Sequence, residues 1–290
     1  MEKIFFFSDS PADLLPEQTV GMPYKMVSSS VIYDDGHTIR ETEVDRQEYY
    51  EYLRTCKNIP SHAMGTPEQW SEALNEAVDG GYTHAIICTI SSTASSVFQS
   101  INVARELLEA EKPGALTIEL IDSHQYSMMY GRLILKSLAQ IMEGRGFQDV
   151  VDELKTDLRR TQAVVGAYSL RCMQKSGRIS GMAAFAGSLM GIKPVLLARD
   201  GSIAPIDKAR GSKNLVPSIV SNIKQRIVDP ESQDLIVLHG SVPVEELDRL
   251  EAMLHDELKI KSITLHPIGV TVVTNSGPET IVVGFFGEPY

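Results

Sequence analysis

Cysteine is scarce in this sequence, and acidic residues outnumber basic ones. The three Cys residues, Cys56, Cys88 and Cys172, lie far apart and form no C-x-x-C pair, so neither a zinc site nor a redox pair is indicated. Lys and Arg total 27 against 38 Asp and Glu, which leaves a net charge of −11. Because phosphate contacts need clustered cations, this charge argues against a nucleic-acid-binding protein and, more weakly, against adhesion to anionic membranes.

Long apolar runs and the common catalytic motifs are also missing. The opening "MEKIFFFSDS" has one basic residue and an apolar run too short for a signal peptide or a membrane span. We therefore expect a reduced cytoplasmic protein without stable membrane insertion. The seven His residues show no metal-binding spacing, and no G-x-G-x-x-G, P-loop or G-x-S-x-G motif occurs. The sequence predicts no metal and no cofactor.

Apolar strand patterns alternate with amphipathic helix patterns in the first half of the chain. The runs "KIFFFSD", "THAIICTIS" and "ALTIELID" are nearly continuous in apolar residues, as is typical of strands covered on both faces. Between or after them, "VFQSINVARELLEAE" and "FQDVVDELKTDL" repeat apolar residues at helical spacing. This alternation predicts a parallel α/β sheet.

The second half has a different pattern. Strands are predicted at "AVVGAYS", "DLIVLHG" and "TIVVGFF", and a helix at "VEELDRLEAMLHDEL". In "KSITLHPIGVTVVTNSGPETIVVGFFG", strand-like runs are separated by Pro and Gly with no predicted helix, which favours antiparallel strands. The predicted fold class is α/β with two domains: a parallel-sheet α/β domain over residues 1–162, and an α+β domain with a mainly antiparallel sheet over residues 163–290.

Hydroxyl and acidic residues gather where three predicted strands end. The stretch "CTISSTASSVFQS" places five hydroxyl residues between a strand and a helix: Ser91, Ser92, Thr93, Ser95 and Ser96. Two other strands end in Asp9–Ser10 and in Asp122–Ser123. Ligands bind at the carboxyl ends of parallel strands, and helix N-termini attract anions, so an oxyanion site is one interpretation. Capping of the helix by a single Ser is the other.

Six stretches, in this order, resemble segments of the DegV family, whose characterised members are bacterial fatty-acid-binding proteins. They are "FFFSDSPADLLPEQ", "ISSTASSVFQSINVA", "IDSHQYSMMYGRLI", "SLRCMQKSGRISGMAAFAGSLMGIKPVL", "GSIAPIDKARGSKN" and "IGVTVVTNSGPETI". The segment with "GRI" and "IKP" is the most specific of the six. Each stretch alone is weak, but their common order along nearly the whole chain makes the resemblance strong.

The resemblance implies a protein that holds one long-chain fatty acid in an apolar tunnel between two domains, with the carboxylate at the hydroxyl-rich strand ends. It also implies presentation of that carboxylate to a separate ATP-dependent fatty-acid kinase, so the protein itself is expected not to be an enzyme. The stretch "GMAAFAGSLMGI" is a candidate tunnel lining, with ordinary core packing as the alternative. Arg178 and Arg210, in Gly-flanked loops, are expected to face the partner or its phosphate, with simple solvation as the alternative.

The sequence departs from the family pattern at the expected head-group site. His62 stands where the family has Thr, Ser96 replaces Gly, and Ser95 is retained. Near the end of the chain, Asn275 replaces His and Glu279 replaces Gly. The predicted ligand-binding residues are Asp9, Ser10, His62, Ser95, Ser96 and Asn275.

One hypothesis gives His62 the role of the missing family His. Its imidazole would donate to the ligand carboxylate, and its cationic form would offset Glu279. Binding would then weaken as the pH rises through the pKa of histidine, which is about 6.5 when unperturbed. A solvent-facing His62 is the alternative.

Two other functions remain open at this point. A hydrolase or transferase acting on an acyl compound would use Ser95 or Ser96 as the nucleophile and His62 as the base, provided that these side chains meet. A ligand-free paralogue with a regulatory role is the third possibility.

Overall fold

The computed structural model describes residues 2–178 and 191–290, which form two compact units. The first unit comprises the chain up to Ile32, Gly36–Glu43 and Ser61–Leu158, and the second comprises Tyr33–Asp35, Val44–Pro60 and the described residues from Arg159 onward. The domain boundary after residue 162 stays a prediction. Most of the predicted tunnel lining, residues 181–190, lies outside the described residues.

A sheet of parallel strands forms the centre of the first unit. Its strands are β1 (Ile4–Asp9), β2 (Tyr24–Val27), β6 (His84–Thr89) and β7 (Thr117–Asp122). They lie in the order β2-β1-β6-β7, and each pairing is parallel. The central strands β1 and β6 are buried almost throughout, as the continuous apolar runs predicted.

Helices alternate with the later strands of this unit, and the last two helices follow one another. They are α2 (Pro67–Asp79), α3 (Val97–Glu111), α4 (Met128–Met142) and α5 (Phe147–Arg160), the last of which ends in the second unit. Helix α3 begins and ends at the limits of the predicted pattern. It buries Val97, Ile101, Ala104 and Leu108, which share one face at helical spacing.

A small antiparallel sheet also belongs to the first unit. Its strands are β3 (Ser30–Ile32), β4 (Thr38–Arg40) and β5 (Ser61–Ala63), in the order β4-β3-β5. Val31 of β3 lies opposite His62 of β5. This pairing fixes the backbone position of His62 at an edge of the small sheet.

The second unit is built on a mixed sheet. Its strands are β8 (Thr161–Ala167), β9 (Ile192–Arg199), β10 (Ser202–Arg210), β11 (Asp234–His239), β12 (Ser262–Pro267) and β13 (Thr280–Phe286). The order is β10-β9-β8-β13-β11-β12, and the pairings are antiparallel except that of β11 with β12. The predicted fold class, with a parallel N-terminal sheet and a mainly antiparallel C-terminal one, is confirmed.

The helices of the second unit come from both halves of the chain. They are α1 (Arg46–Thr55), α6 (Arg171–Ser176), α7 (Leu215–Lys224), α8 (Val244–Leu258) and α9 (Val270–Ser276). Helices α7 and α8 bury Ile219, Val220, Leu250 and Leu254 in one core with Phe285 of β13. Among the described helices, none has both the length and the apolar character needed to cross a membrane.

One prediction for the second unit is wrong. The stretch "VTVVTNS" forms helix α9, although the Val and Thr residues favour a strand. Gly269 precedes the helix and Gly277 ends it with φ of 88°. Tertiary contacts override the local preference: α1 packs against α9, and the hydroxyl groups of Tyr49 and Thr274 lie 2.7 Å apart.

Candidate functional site at the carboxyl edge of the parallel sheet

The polar strand ends of the first unit meet at one edge of its parallel sheet, as the sequence predicted. The Asp9 carboxylate at the end of β1 accepts the N–H of Ile90 at 3.2 and 3.1 Å. The Asp122 carboxylate at the end of β7 accepts the N–H of Ser92 at 3.2 and 3.3 Å. Both acidic side chains therefore reach the segment that follows the central strand β6.

We call residues 90–96, between β6 and α3, the hydroxyl loop. Its first three N–H groups are all occupied, because Ser91 donates to the Gln125 carbonyl at 3.0 Å while Asp9 and Asp122 accept from Ile90 and Ser92. These amides face protein acceptors and are not available to a bound anion. The side-chain hydroxyls of the loop are the candidate donors to a ligand.

Ser95 and Ser96 lie directly before α3. The Ser95 Oγ accepts the N–H of Val97, the first residue of the helix, at 3.2 Å, whereas Ser96 at the N-cap position makes no side-chain capping hydrogen bond. A hydroxyl that accepts a hydrogen bond still has its own hydrogen to donate. Ser95 is half-buried and Ser96 is exposed, while Ser91 is buried with its Oγ 2.9 Å from Thr93 Oγ1. Ser92 is half-buried like Ser95, so Ser92, Ser95 and Ser96 are the accessible serines of the hydroxyl loop, and the last two lie next to the start of α3.

The carboxyl group of Asp9 lies inside the protein, with only 1% of the residue exposed. The Tyr130 hydroxyl on α4 donates to it at 2.7 Å. Burial raises the pKa of Asp9 to about 7, although the hydrogen bonds from Tyr130 and Ile90 oppose the rise, and the charge of Glu41 adds to it. The pKa of Tyr130 is raised well above its ordinary value, first by burial and then by Asp9. The contacts of Asp9, a predicted ligand residue, are thus with the Ile90 N–H and the Tyr130 hydroxyl of the protein itself.

Ser10 belongs to a second buried cluster at the same edge. Its Oγ lies 2.8 Å from Ser29 Oγ and accepts the N–H of Ser29 at 2.9 Å. Both hydroxyls donate to the carboxylate of Glu41. Sequence reasoning missed Ser29 and Glu41. The run "VSSSV" begins at the end of β2 and is a fourth place where hydroxyl residues follow a strand. This pattern was the signal in the sequence for Ser29.

The segment after β1 and the start of α4 are held together closely. Ser127 donates a hydrogen bond to the Asp13 carboxylate, and both residues have positive φ, 55° and 61°. Such angles are uncommon outside glycine and persist only where the surroundings hold them. A Cβ added to Gly131 would lie 2.2 Å from the Ala12 carbonyl oxygen. This close approach brings Tyr130 within reach of Asp9.

The remaining predicted residues lie elsewhere. His62 is half-buried on β5 of the first unit. In the second unit, the Asn275 side chain donates to the Thr271 carbonyl of its own helix at 2.8 Å. Arg178 and Arg210 are exposed; Arg178 donates to the Ser176 carbonyl at 2.9 Å, and Arg210 ends β10.

Glu279 has a cationic neighbour in its own unit. The Nε atom of Arg54 lies 4.0 Å from a carboxylate oxygen of Glu279. The charge that was predicted to need His62 is therefore already offset by a guanidinium. Separately, the described residues include no group of three or more His, Cys, Asp or Glu that is suited to a metal ion.

The fold and the polar edge together define a class: a two-unit α/β protein whose parallel sheet ends in a hydroxyl-rich loop. The family model described as "Uncharacterised protein, DegV family" matches residues 3–288, and the chain belongs to the DegV family. A DegV domain-containing protein of Caldanaerobacter subterraneus subsp. tengcongensis is 27% identical over 289 residues, which covers 99% of this chain and 100% of the relative.

Solved structures of the family share the fold. A DegV family protein from Thermus thermophilus, described by its fatty acid binding, has a TM-score of 0.84 at 22% identity, over 99% of this chain and 100% of that one. A fatty acid binding DegV family protein from Streptococcus agalactiae has a TM-score of 0.85 at 22% identity, with the same coverage. At this identity the likeness establishes the fold.

Proposed function

We propose that this protein binds one long-chain fatty acid and that the hydroxyl loop receives its carboxylate. The observation that carries the proposal is the pair of accessible hydroxyls, Ser95 and Ser96, at the N-terminus of α3. A carboxylate placed there meets neutral donors and the positive end of the helix dipole. The fatty acid binding described for the Thermus and Streptococcus family members supports this choice of ligand.

The acyl chain supplies most of the affinity in this proposal. Each buried CH₂ group is worth about 0.8 kcal/mol, so a long chain binds tightly even when the head group makes few contacts. Completion of the head-group site by His62 and Asn275, and a chain lying between the two domains, remain proposals that rest on the family resemblance.

We further propose that the bound carboxylate is presented to an ATP-dependent fatty-acid kinase, while this chain performs no covalent chemistry. Arg178 and Arg210 are exposed cations of the second unit that suit an anionic partner surface or a phosphate. In the hydrolase alternative, Ser95 or Ser96 would need a histidine base. Among the described residues, no hydrogen bond joins either Ser to a histidine.

Mass spectrometry of the purified protein tests the proposal. We expect a long-chain fatty acid in the organic extract and an unmodified protein mass. An acyl-serine adduct would favour the hydrolase or transferase, and a protein that neither carries nor takes up lipid would favour the ligand-free paralogue. The matched variants are Ser95→Ala with Ser96→Ala, which should weaken fatty-acid binding, and Ser100→Ala, one turn further along α3, which should not.

A further inference from the structure

Three successive amides of the hydroxyl loop are held by side chains and backbone from other parts of the first unit. The central one, Ser91, donates to a backbone carbonyl, while the outer two, Ile90 and Ser92, donate to carboxylates. Both carboxylates come from the ends of strands that flank β6, namely Asp9 on β1 and Asp122 on β7. The start of the loop is therefore hydrogen-bonded to acidic residues of the two strands that flank β6.

Each carboxylate is itself held in place. Asp9 is buried and accepts the Tyr130 hydroxyl at 2.7 Å, so α4 fixes its orientation. Asp122 also accepts the N–H of His124 at 3.0 Å, which ties the turn after β7 to the same group. A carboxylate with two accepting oxygens and fixed donors has little freedom to rotate. Contacts with the sheet and with α4 therefore determine the position of the loop.

We infer that Asp9 and Asp122 are positioning residues, which orient the hydroxyl loop so that Ser95 and Ser96 face the ligand carboxylate. The inference rests on the proposed function. It assigns to Asp9 a role different from direct ligand contact, since the carboxyl group is enclosed and faces Ile90 and Tyr130. By accepting the N–H groups of Ile90 and Ser92, the two acids direct that part of the backbone inward, and the accessible residues Ser95 and Ser96 follow it along the loop.

The test compares two probes in the full-length protein: a fluorescent long-chain fatty acid and the fatty alcohol of the same chain. Asp9→Ala and Asp122→Ala should weaken binding of the acid by about tenfold, the loss expected for one hydrogen bond to a charged group, and leave the alcohol within about twofold. Asp9→Asn keeps a carbonyl acceptor for Ile90 and should restore binding of the acid. Tyr24→Phe on β2 removes a 2.6 Å contact with Ser8, the residue next to Asp9 on β1, and serves as the control.

Amide hydrogen exchange in the ligand-free protein provides a second readout. Asp9→Ala should speed exchange at Ile90, and Asp122→Ala should speed it at Ser92, with Tyr24→Phe unchanged at both. Equal loss of acid and alcohol binding, or unchanged exchange at both amides, would overturn the inference. Wild-type protein that binds neither probe would contradict the proposed function as well, whereas normal acid binding by Asp9→Ala and Asp122→Ala would overturn the positioning role alone.

Discussion

The carboxyl group of Asp9 lies in a buried environment where ionisation is costly. Its pKa is raised from 3.8 to about 7, chiefly by burial. The folded protein therefore holds the proton more tightly than the unfolded chain does. The stabilisation that results is complete below about pH 4 and is lost as the pH rises through about 7.

Asp9→Asn removes the titrating carboxyl group but keeps a carbonyl oxygen that can accept the N–H of Ile90. Between pH 5 and pH 8, the wild type should lose about 3 kcal/mol of unfolding free energy relative to the variant, because a pKa difference of one unit corresponds to about 1.4 kcal/mol. Urea unfolding of both proteins at the two pH values measures the difference. Asp256→Asn, an exposed substitution on α8, is the control. Parallel pH profiles for wild type and Asp9→Asn would show that Asp9 is not the titrating group.

His62 presents a separate question at the residue scale. If its imidazolium donates to the ligand, fatty-acid affinity should fall as the pH rises through about 6.5, and His62→Ala should abolish that dependence and weaken binding about tenfold at pH 5.5. Since Arg54 already lies near Glu279, the hypothesis now concerns the ligand contact alone. Affinity titrations across pH decide it. If fatty-acid affinity has the same pH dependence in His62→Ala as in the wild type, His62 does not contact the ligand.

At the scale of elements, the contact between α4 and the segment after β1 sets the geometry of the site. Gly131 permits it, because a Cβ there would lie 2.2 Å from the Ala12 carbonyl oxygen. Gly131→Ala should force the two backbones apart and cost about 2 kcal/mol of unfolding free energy. Gly146→Ala is the matched control, since its added Cβ would meet atoms no closer than 3.6 Å. Equal unfolding midpoints for the two variants would contradict the close packing described here.

The difference between predicted and observed elements is clearest in the second unit. Helix α8 follows its sequence pattern because its apolar stripe, including Leu247, Leu250 and Leu254, is buried in a core. Helix α9 does not follow its local preference, because its β-branched residues adopt a helix that packs against α1. Helix α1 comes from residues more than 200 positions earlier in the chain, as the separation of 225 between Tyr49 and Thr274 shows. No local sequence pattern predicts a contact between segments so far apart in the chain.

At the scale of the whole molecule, the proposed function separates ligand binding from presentation to a kinase. Arg210→Ala should leave fatty-acid affinity within about twofold, yet slow phosphorylation by a purified fatty-acid kinase by about tenfold, because it removes one cation from the surface proposed to meet the kinase. Lys224→Ala, at the exposed end of α7, is the control. Reduced lipid binding with normal phosphorylation of the remaining complex would contradict the assignment of Arg210.

The sequence by itself determined the fold class, the family and the convergence of β1, β6 and β7 on one polar edge. Those features follow from the burial pattern of continuous segments and from motif order, which a linear pattern records. Tertiary structure alone decided that Asp9 lies behind the hydroxyl loop, because its partner Tyr130 is 121 residues away. It also decided that Glu41 joins Ser10 and that the helical segment of residues 44–60 belongs to the second unit. Hydrogen bonds and packing between distant segments leave no periodic trace in the chain, so only the folded arrangement reveals them.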